Sequence, residues 1–274
     1  MTGSAFTVFG AAGFVGRELV RQLRAQGASV QAVTRDSWPS PGTPLGHAIY
    51  AIGMTAGFDD QLIETFDRHL LRLHHALSSY SYDSFTYLSS TRIYAGAEAA
   101  HEGATLCVRP AERDHVYNIT KIAGESLCLS QGRADVRAVR LSNVIGEGDD
   151  AKTFVAAVLR EAVTTGSVRI RQSPQSSKDY IALADAAGAI IKVARHGTRP
   201  IYNIASGHNV THQSIADMIE AAGYSCQFEE QGPVVVFPAI DMTLYQDEFG
   251  PIETDPISAI GALVAAKRAG GGQT

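Results

Sequence analysis

Tyr117 and Lys121, four residues apart in VYNITKIAGESL, carry the plainest chemistry in the chain. On a helix that spacing sets both side chains on one face. A free tyrosine titrates near 10, too high for acid–base work at neutral pH. A nearby ammonium favours the phenolate and brings it toward the working range. Upstream, Phe85 to Leu88 reads as a buried strand running into Ser89, Ser90 and Thr91. Hydroxyls at the C-terminal end of a parallel strand lie where ligands bind in open α/β sheets. The same cluster also suits a Ser/Thr turn or a helix cap. A YxxxK pair alone is common; a serine strand end and a glycine turn upstream make it specific.

That glycine turn is FTVFGAAGFVG, Phe6 to Gly16. The apolar run Phe6 to Phe9 suits a buried strand. Val15, Leu19, Val20 and Leu23 then fall on one helical face. Gly10, Gly13 and Gly16 let the backbone pass close to a pyrophosphate, and the helix N-terminus offers it free N–H groups. Such a triplet also occurs in βα turns that bind nothing. Val30 to Val33 reads as the second strand, followed by Thr34, Arg35 and Asp36. An acidic residue here holds a ribose 2′-OH, whereas arginine accommodates a 2′-phosphate. Thr34 and Arg35 favour NADP over NAD. Asp36 competes as the ribose ligand, or serves as a turn residue before SWPSPGTP. Only about a dozen residues then precede the next apolar run, His47 to Ile52, too few for a normal crossover helix. The sheet is expected to lack a strand and helix between residues 35 and 47. Ile52 and Gly53 close that run beside the expected cofactor cleft.

With 274 residues, 45% of them hydrophobic, the chain can bury a large α/β core. Its net charge of −5 and lack of a basic run argue against a nucleic-acid or anionic-membrane partner. Cys107, Cys128 and Cys226 are scattered, which fits buried or inert thiols in a reducing compartment. No apolar run approaches a membrane span, and the first strand begins too early for a signal peptide, so a cytoplasmic protein is expected. Residues 60–80 read as a helix burying Leu62, Phe66, Leu70, Leu73 and Leu77. His69, His74 and His75 on it lack the spacing of a metal pair, so solvated or core-edge roles are expected and no metal site.

These stretches together resemble the extended short-chain dehydrogenase/reductases, which include nucleotide-sugar epimerases, dehydratases and ketoreductases. GAAGFVG is similar to their cofactor turn, YLSSTRIYAG to their SSxxVYG and YNITK to their YxxxK. RLSNVIGEG (Arg140 to Gly148) is similar to RxxNVYGP, SKDYIALADAA (Ser177 to Ala187) to RDFVHVDDVA and IYNIASG (Ile201 to Gly207) to YNxGSG. The matches are collinear to about residue 222. The resemblance implies a Rossmann-type doubly wound parallel sheet over residues 1–146 and a small substrate-binding lobe over 147–274. Residues near 177–205 would pack back on the sheet. It makes Ser90, Tyr117 and Lys121 catalytic: Ser90 bonds the reacting oxygen, Tyr117 moves the proton, and Lys121 holds the nicotinamide ribose and tunes Tyr117. Cofactor contacts are implied at Gly10, Gly13, Phe14, Val15 and Gly16, at Thr34 and Arg35, and at Ile52 and Gly53. Leu88 and Ser89, with Leu141, Ser142 and Val144, would flank the nicotinamide. Substrate contacts are implied at Thr91, Arg92, Asn143 and Lys178. Lys178 replaces the family's usual arginine against the substrate diphosphate.

Departures narrow the chemistry. Thr91 and Arg92 stand where 4,6-dehydratases carry their acid and base, which argues against water elimination. The family's C-terminal Arg-x-Gly-Asp nucleotide clamp is replaced by VVVFPAIDMTLYQDEFG. Arg169 and Arg171 alternate along the expected strand 168–171 and either replace that charge or form an exposed basic edge. The expected activity is an NADP(H)-dependent ketoreductase on a nucleotide-activated sugar. The alternatives are a nucleotide-sugar 4-epimerase with tightly bound NAD and a non-catalytic NADP-binding sensor. A homodimer is expected through helices 60–80 and 115–130.

Overall fold

The computed structural model describes residues 4–54, 57–58, 60–148 and 153–271. Its elements in chain order are β1 (Ala5–Phe9), α1 (Phe14–Ala25), β2 (Ser29–Val33), β3 (His47–Tyr50), α2 (Leu62–Phe66), a π-helical turn (Asp67–Leu71) and α3 (Arg72–Ser78). Next come β4 (Ser84–Ser90), α4 (Val116–Leu129), β5 (Val136–Leu141), β6 (Asn143–Ile145), α5 (Phe154–Thr165), β7 (Ser167–Ile170), β8 (Ser177–Ala182) and α6 (Leu183–His196). The chain continues through β9 (Ile201–Ile204), β10 (Asn209–Thr211), α7 (His212–Ala221), β11 (Ser225–Phe228), α8 (Thr243–Phe249) and α9 (Pro256–Gly271).

Six strands form the central sheet, in the order β2-β1-β3-β4-β5-β9 and parallel throughout. This is the Rossmann-type doubly wound sheet, shortened as expected. Residues 34–46 hold no helix and only one isolated bridge, Pro44 to Ser81, so β2 is left as the edge strand. Trp38 packs on Phe9 and His75, with ring centroids 5.1 and 5.4 Å apart, and Tyr80 donates its hydroxyl to the Pro39 carbonyl at 2.8 Å. The inner strands read as near-continuous apolar runs because both faces are covered. Leu19, Leu23 and Ile190 of α1 and α6 lie on one face; Leu73, Leu77 and Cys128 of α3 and α4 lie on the other.

Beyond β5 the chain builds two small sheets, β10-β8-β6 and β11-β7. A separate apolar cluster holds them, with Val155, Leu159, Ile215, Ile219, Ile260 and Val264 from α5, α7 and α9. β9 then returns to the edge of the central sheet beside β5.

The helical stretch after β3 departs from the expected stripe. Leu62 and Phe66 are 38% and 43% exposed, while Thr65 and His69 are fully buried. The cause is the π turn: it inserts one extra residue, about 100° of rotation, so the faces before and after it no longer align. His69 is thus a core residue rather than a solvated or edge one. Of the thiols expected to be buried or inert, Cys128 is buried, Cys226 half-buried and Cys107 exposed. Helix α9 runs through Gly271; residues 272–274 lie outside the described ones. Among the described residues no helix is long and apolar enough to cross a membrane.

Candidate active site

The glycine turn is an obligatory close approach. Gly10 has φ 82°, and a Cβ there would sit 3.0 Å from the Ala51 carbonyl and the Ile52 nitrogen. A Cβ on Gly16 would lie 2.1 Å from the Gly10 oxygen. Gly13 caps α1 without a side chain, and the first turn, beginning Phe14-Val15, has no acidic residue. Uncapped N–H groups and the positive end of the helix dipole remain for an anion. These residues fit a dinucleotide pyrophosphate. At the end of β2, the Thr34 amide donates to Ser37 Oγ at 2.8 Å and the two hydroxyls are 2.9 Å apart, with Arg35 exposed beside them.

From Ala51 the chain leads directly to the reacting groups. A Cβ on Gly53 would be 3.3 Å from Lys121 Nζ and 3.4 Å from His69 Nε2. Lys121 donates to the Leu88 carbonyl at 2.8 Å, and burial pushes its ammonium down to about 7, against the opposing charge of Glu125. Helix α4 reaches β4 this closely because of Gly124, where a Cβ would fall 2.4 Å from the Tyr87 hydroxyl. Arg140 on β5 fixes the same helix through a buried ion pair with Glu125 at 2.8 Å.

Ser90 ends β4 and caps a short 3-10 turn, its Oγ accepting the Arg92 amide at 3.2 Å. It also hydrogen-bonds Tyr117. Burial pushes the Tyr117 phenol up; the Ser90 bond and then the charge of Arg92 pull it back. The sequence points to Lys121 as the charge that acts on Tyr117. In the fold its ammonium bonds the Leu88 carbonyl and stands 5.9 Å from the Tyr117 ring centroid, and the Arg92 guanidinium joins it at 5.7 Å from the same ring. Ser89 Oγ is buried without a partner.

His69 went unrecognised in the sequence. Its Nε2 accepts the Met54 amide at 3.0 Å, so the ring proton sits on Nδ1, 2.8 Å from Thr120 Oγ1. Burial pushes its pKa down to about 2 and keeps the ring neutral. The ring stands edge-on to Tyr117 at 5.6 Å. One imidazole therefore ties the Gly53–Met54 turn to the helix carrying Tyr117. Spacing conceals this role because it depends on the π turn.

A cavity of about 400 Å³ opens beyond Ser90. Thr91, Arg92, Ser142, Asn143 and Lys178 all line it. Leu141 and Val144 are buried beside it in the main core. Burial pushes Lys178 down to about 8, and its ammonium lies 5.0 Å from the Phe154 ring centroid. Asp179 beneath it accepts from Ser142, Ser206 and the His208 amide. Arg169 and Arg171 are exposed and do not line the cavity; Gln172, Val235 and Phe237 do. The stretch replacing the expected clamp is held by the Phe237 amide on the Ser177 carbonyl at 3.2 Å, a tertiary contact no motif announces.

The model of the NAD dependent epimerase/dehydratase family matches residues 47–205. The dTDP-6-deoxy-L-talose 4-dehydrogenase (NAD(P)(+)) of Kitasatospora kifunensis is 24% identical, covering 89% of both chains. The dTDP-4-dehydro-6-deoxy-D-allose reductase of Streptomyces bikiniensis is 22% identical over 80% of this chain and 81% of its own. Among solved structures, MoeE5 in complex with UDP-glucuronic acid and NAD superposes with a TM-score of 0.82 at 22% identity, over 97% of this chain and 99% of that one. A family model spanning more than half the chain, on a sheet and glycine cradle of the matching kind, makes this protein an NAD(P)-dependent enzyme that belongs to the NAD dependent epimerase/dehydratase family.

Proposed function

We propose that the protein is an NADP(H)-dependent ketoreductase acting on a sugar carried by a nucleoside diphosphate. The observation that carries this reading is one line of contacts. It runs from Gly10 through Ala51 and Gly53 to Lys121, and ends at the Ser90–Tyr117 pair beside the cavity. Residues 1–146 would hold the cofactor and residues 147–274 close on the substrate. When bound, the nicotinamide supplies the hydride. Tyr117 gives its proton to the carbonyl oxygen, and Ser90 donates a hydrogen bond to the charge developing there. Lys121, beside Gly53, holds the nicotinamide ribose. Asn118 Oδ1 is buried without a partner and Asn118 lines the cavity, an acceptor suited to a sugar hydroxyl. Asn143 and Lys178 face the diphosphate.

Thr34 and the exposed Arg35 follow the second strand and favour the 2′-phosphate of NADP, with Asp36 next to them as the competing ribose ligand. The two relatives named for dTDP-sugar dehydrogenation and reduction favour ketoreduction. Cofactor released from purified protein, followed by affinity for NADPH against NADH, tests this. A clear NADH preference with tightly retained NAD and no net NADPH consumption gives the 4-epimerase instead. Tyr117→Phe should abolish whatever activity the protein shows; activity that survives the change would make the catalytic assignment wrong, and a protein with no turnover at all that still binds NADP would be the non-catalytic sensor. The same proposal makes the protein a cytoplasmic homodimer. Ile63 and Leu71, 89% and 66% exposed on the helical stretch after β3, are the face light scattering of an Ile63→Glu variant would test.

A further inference from the structure

We propose that Arg92 selects a sugar that itself bears a carboxylate, so that the substrate is a nucleotide-linked uronic acid rather than a neutral hexose. This rests on the nucleotide-sugar reading above and adds the class of sugar.

The cavity brings two cations together. Arg92 and Lys178 both line it, and the charge of Arg92 adds to burial in disfavouring the Lys178 ammonium. Among the described residues the two cations have one ion pair between them, long and exposed. Lys178 makes no ion pair within 4 Å, and the nearest to Arg92 is Asp114 Oδ1 at 4.0 Å, on a side chain 80% exposed. Asp179, the other carboxylate in the wall, is already engaged by Ser142, Ser206 and His208. His115, also in the wall, is turned to Glu112 at 3.3 Å. Among the described residues Arg92 Nε is buried with no partner, and its Nη2 donates to the Asp114 carbonyl at 3.4 Å beside the long Asp114 ion pair. Half-buried cations that repel each other, with only the exposed Asp114 carboxylate at 4.0 Å as free counter-charge among the described residues, are costly unless a ligand brings more.

A diphosphate accounts for Lys178 and leaves Arg92 over. Arg92 lies two residues past Ser90, its guanidinium carbon 5.7 Å from the Tyr117 ring centroid and 4.9 Å from that of Phe58. It therefore faces the part of the ligand next to the reacting oxygen, which is the sugar. The two rings pre-orient a planar fork, the shape that pairs with a carboxylate through two parallel hydrogen bonds. A hydroxymethyl group offers no charge there.

UDP-glucuronic acid and UDP-glucose differ only in carboxylate against hydroxymethyl, and both share the diphosphate. Calorimetric titration of each, and of UDP alone, into protein saturated with NADP+ separates the two sources of negative charge. The uronate is expected to bind at least about tenfold more tightly than the hexose, the worth of a charge-assisted hydrogen bond. Arg92→Met should erase that ratio, Arg92→Lys should keep part of it, and Lys178→Met should weaken both sugars and UDP together. Equal binding of the two sugars by the natural protein overturns the inference and leaves the nucleotide-sugar reading standing. So does an Arg92→Met variant that weakens UDP as much as the uronate, since Arg92 would then be reading the diphosphate. Failure to bind all three ligands, with NADP+ still bound, removes the nucleotide-sugar reading itself. A thermal melt of each variant separates misfolding from lost contacts, and Arg92→Lys keeps the comparison open should Arg92→Met misfold.

Discussion

The cofactor cradle is one short run of chain, Gly10 to Gly16, with backbone as its working surface. The cavity beyond Ser90 draws its walls from stretches as far apart as Phe58, Asn118, Lys178 and Phe237. The cradle tolerates almost no side chain, because a Cβ at Gly10 or Gly16 meets backbone atoms that cannot move aside. The cavity is the reverse: its character is entirely side chains, with two cations held by burial and ring faces. A backbone site is specified locally and binds what all members of a family bind. A side-chain site is specified by tertiary placement and is free to differ between members.

The sharpest test of that contrast sits where the two regions meet. Tyr117→Phe should lower kcat by about 10³ while cofactor affinity changes little, the usual worth of a placed acid–base group. Stopped-flow turnover beside a nucleotide titration checks it, and a parallel loss of cofactor binding would dissolve the boundary drawn here. Gly16→Ala should act on the cradle alone. With the Gly10 oxygen 2.1 Å from the new Cβ, the turn must open, at a cost of about 3 kcal/mol in a denaturant melt and with loss of cofactor binding.

His69→Leu tests the link between them. It strands the buried Met54 amide and takes one bond from the Thr120 hydroxyl, which keeps the Val116 carbonyl, and should cost about 2 kcal/mol. Because His69 acts through the Tyr117 helix, kcat should fall further than substrate affinity, and an equal fall in both would assign it a purely structural role. The smallest effect, read over the single pH unit above 7, concerns Lys121. Its folded value of about 7 lies below the ordinary 10.5, so above pH 7 the unfolded chain holds a proton the folded chain has shed. Stability relative to Lys121→Met should therefore rise as pH climbs from about 7 toward 10, by about 1 kcal/mol per unit at first. Melts at matched ionic strength read this, and a flat difference would place a fully charged, partnered ammonium at Lys121.

Legibility followed the same divide. The glycine turn, the Ser90 strand end and the Tyr117–Lys121 helix were readable because each depends on residues within one or two turns of chain. The missing strand after β2 was readable from loop length alone. His69 was not, since one residue inserted by the π turn swings it from the expected surface into the core and leaves Leu62 and Phe66 outside. Nor was the second cation at Tyr117: spacing points to Lys121, 5.9 Å from the ring, but not to Arg92, which comes to the same ring at 5.7 Å.

By itself the sequence determined the parallel sheet, its shortened edge and the anion-binding turn. Each follows from apolar period, chain length or the absence of a Cβ, all of them local properties. Tertiary structure alone decided which cations share a cavity, that Arg92 joins Lys121 beside Tyr117, and that Val235 and Phe237, from the stretch standing in place of the family's arginine clamp, wall it. Those outcomes depend on distances between residues remote in sequence, and charge and burial act through distance.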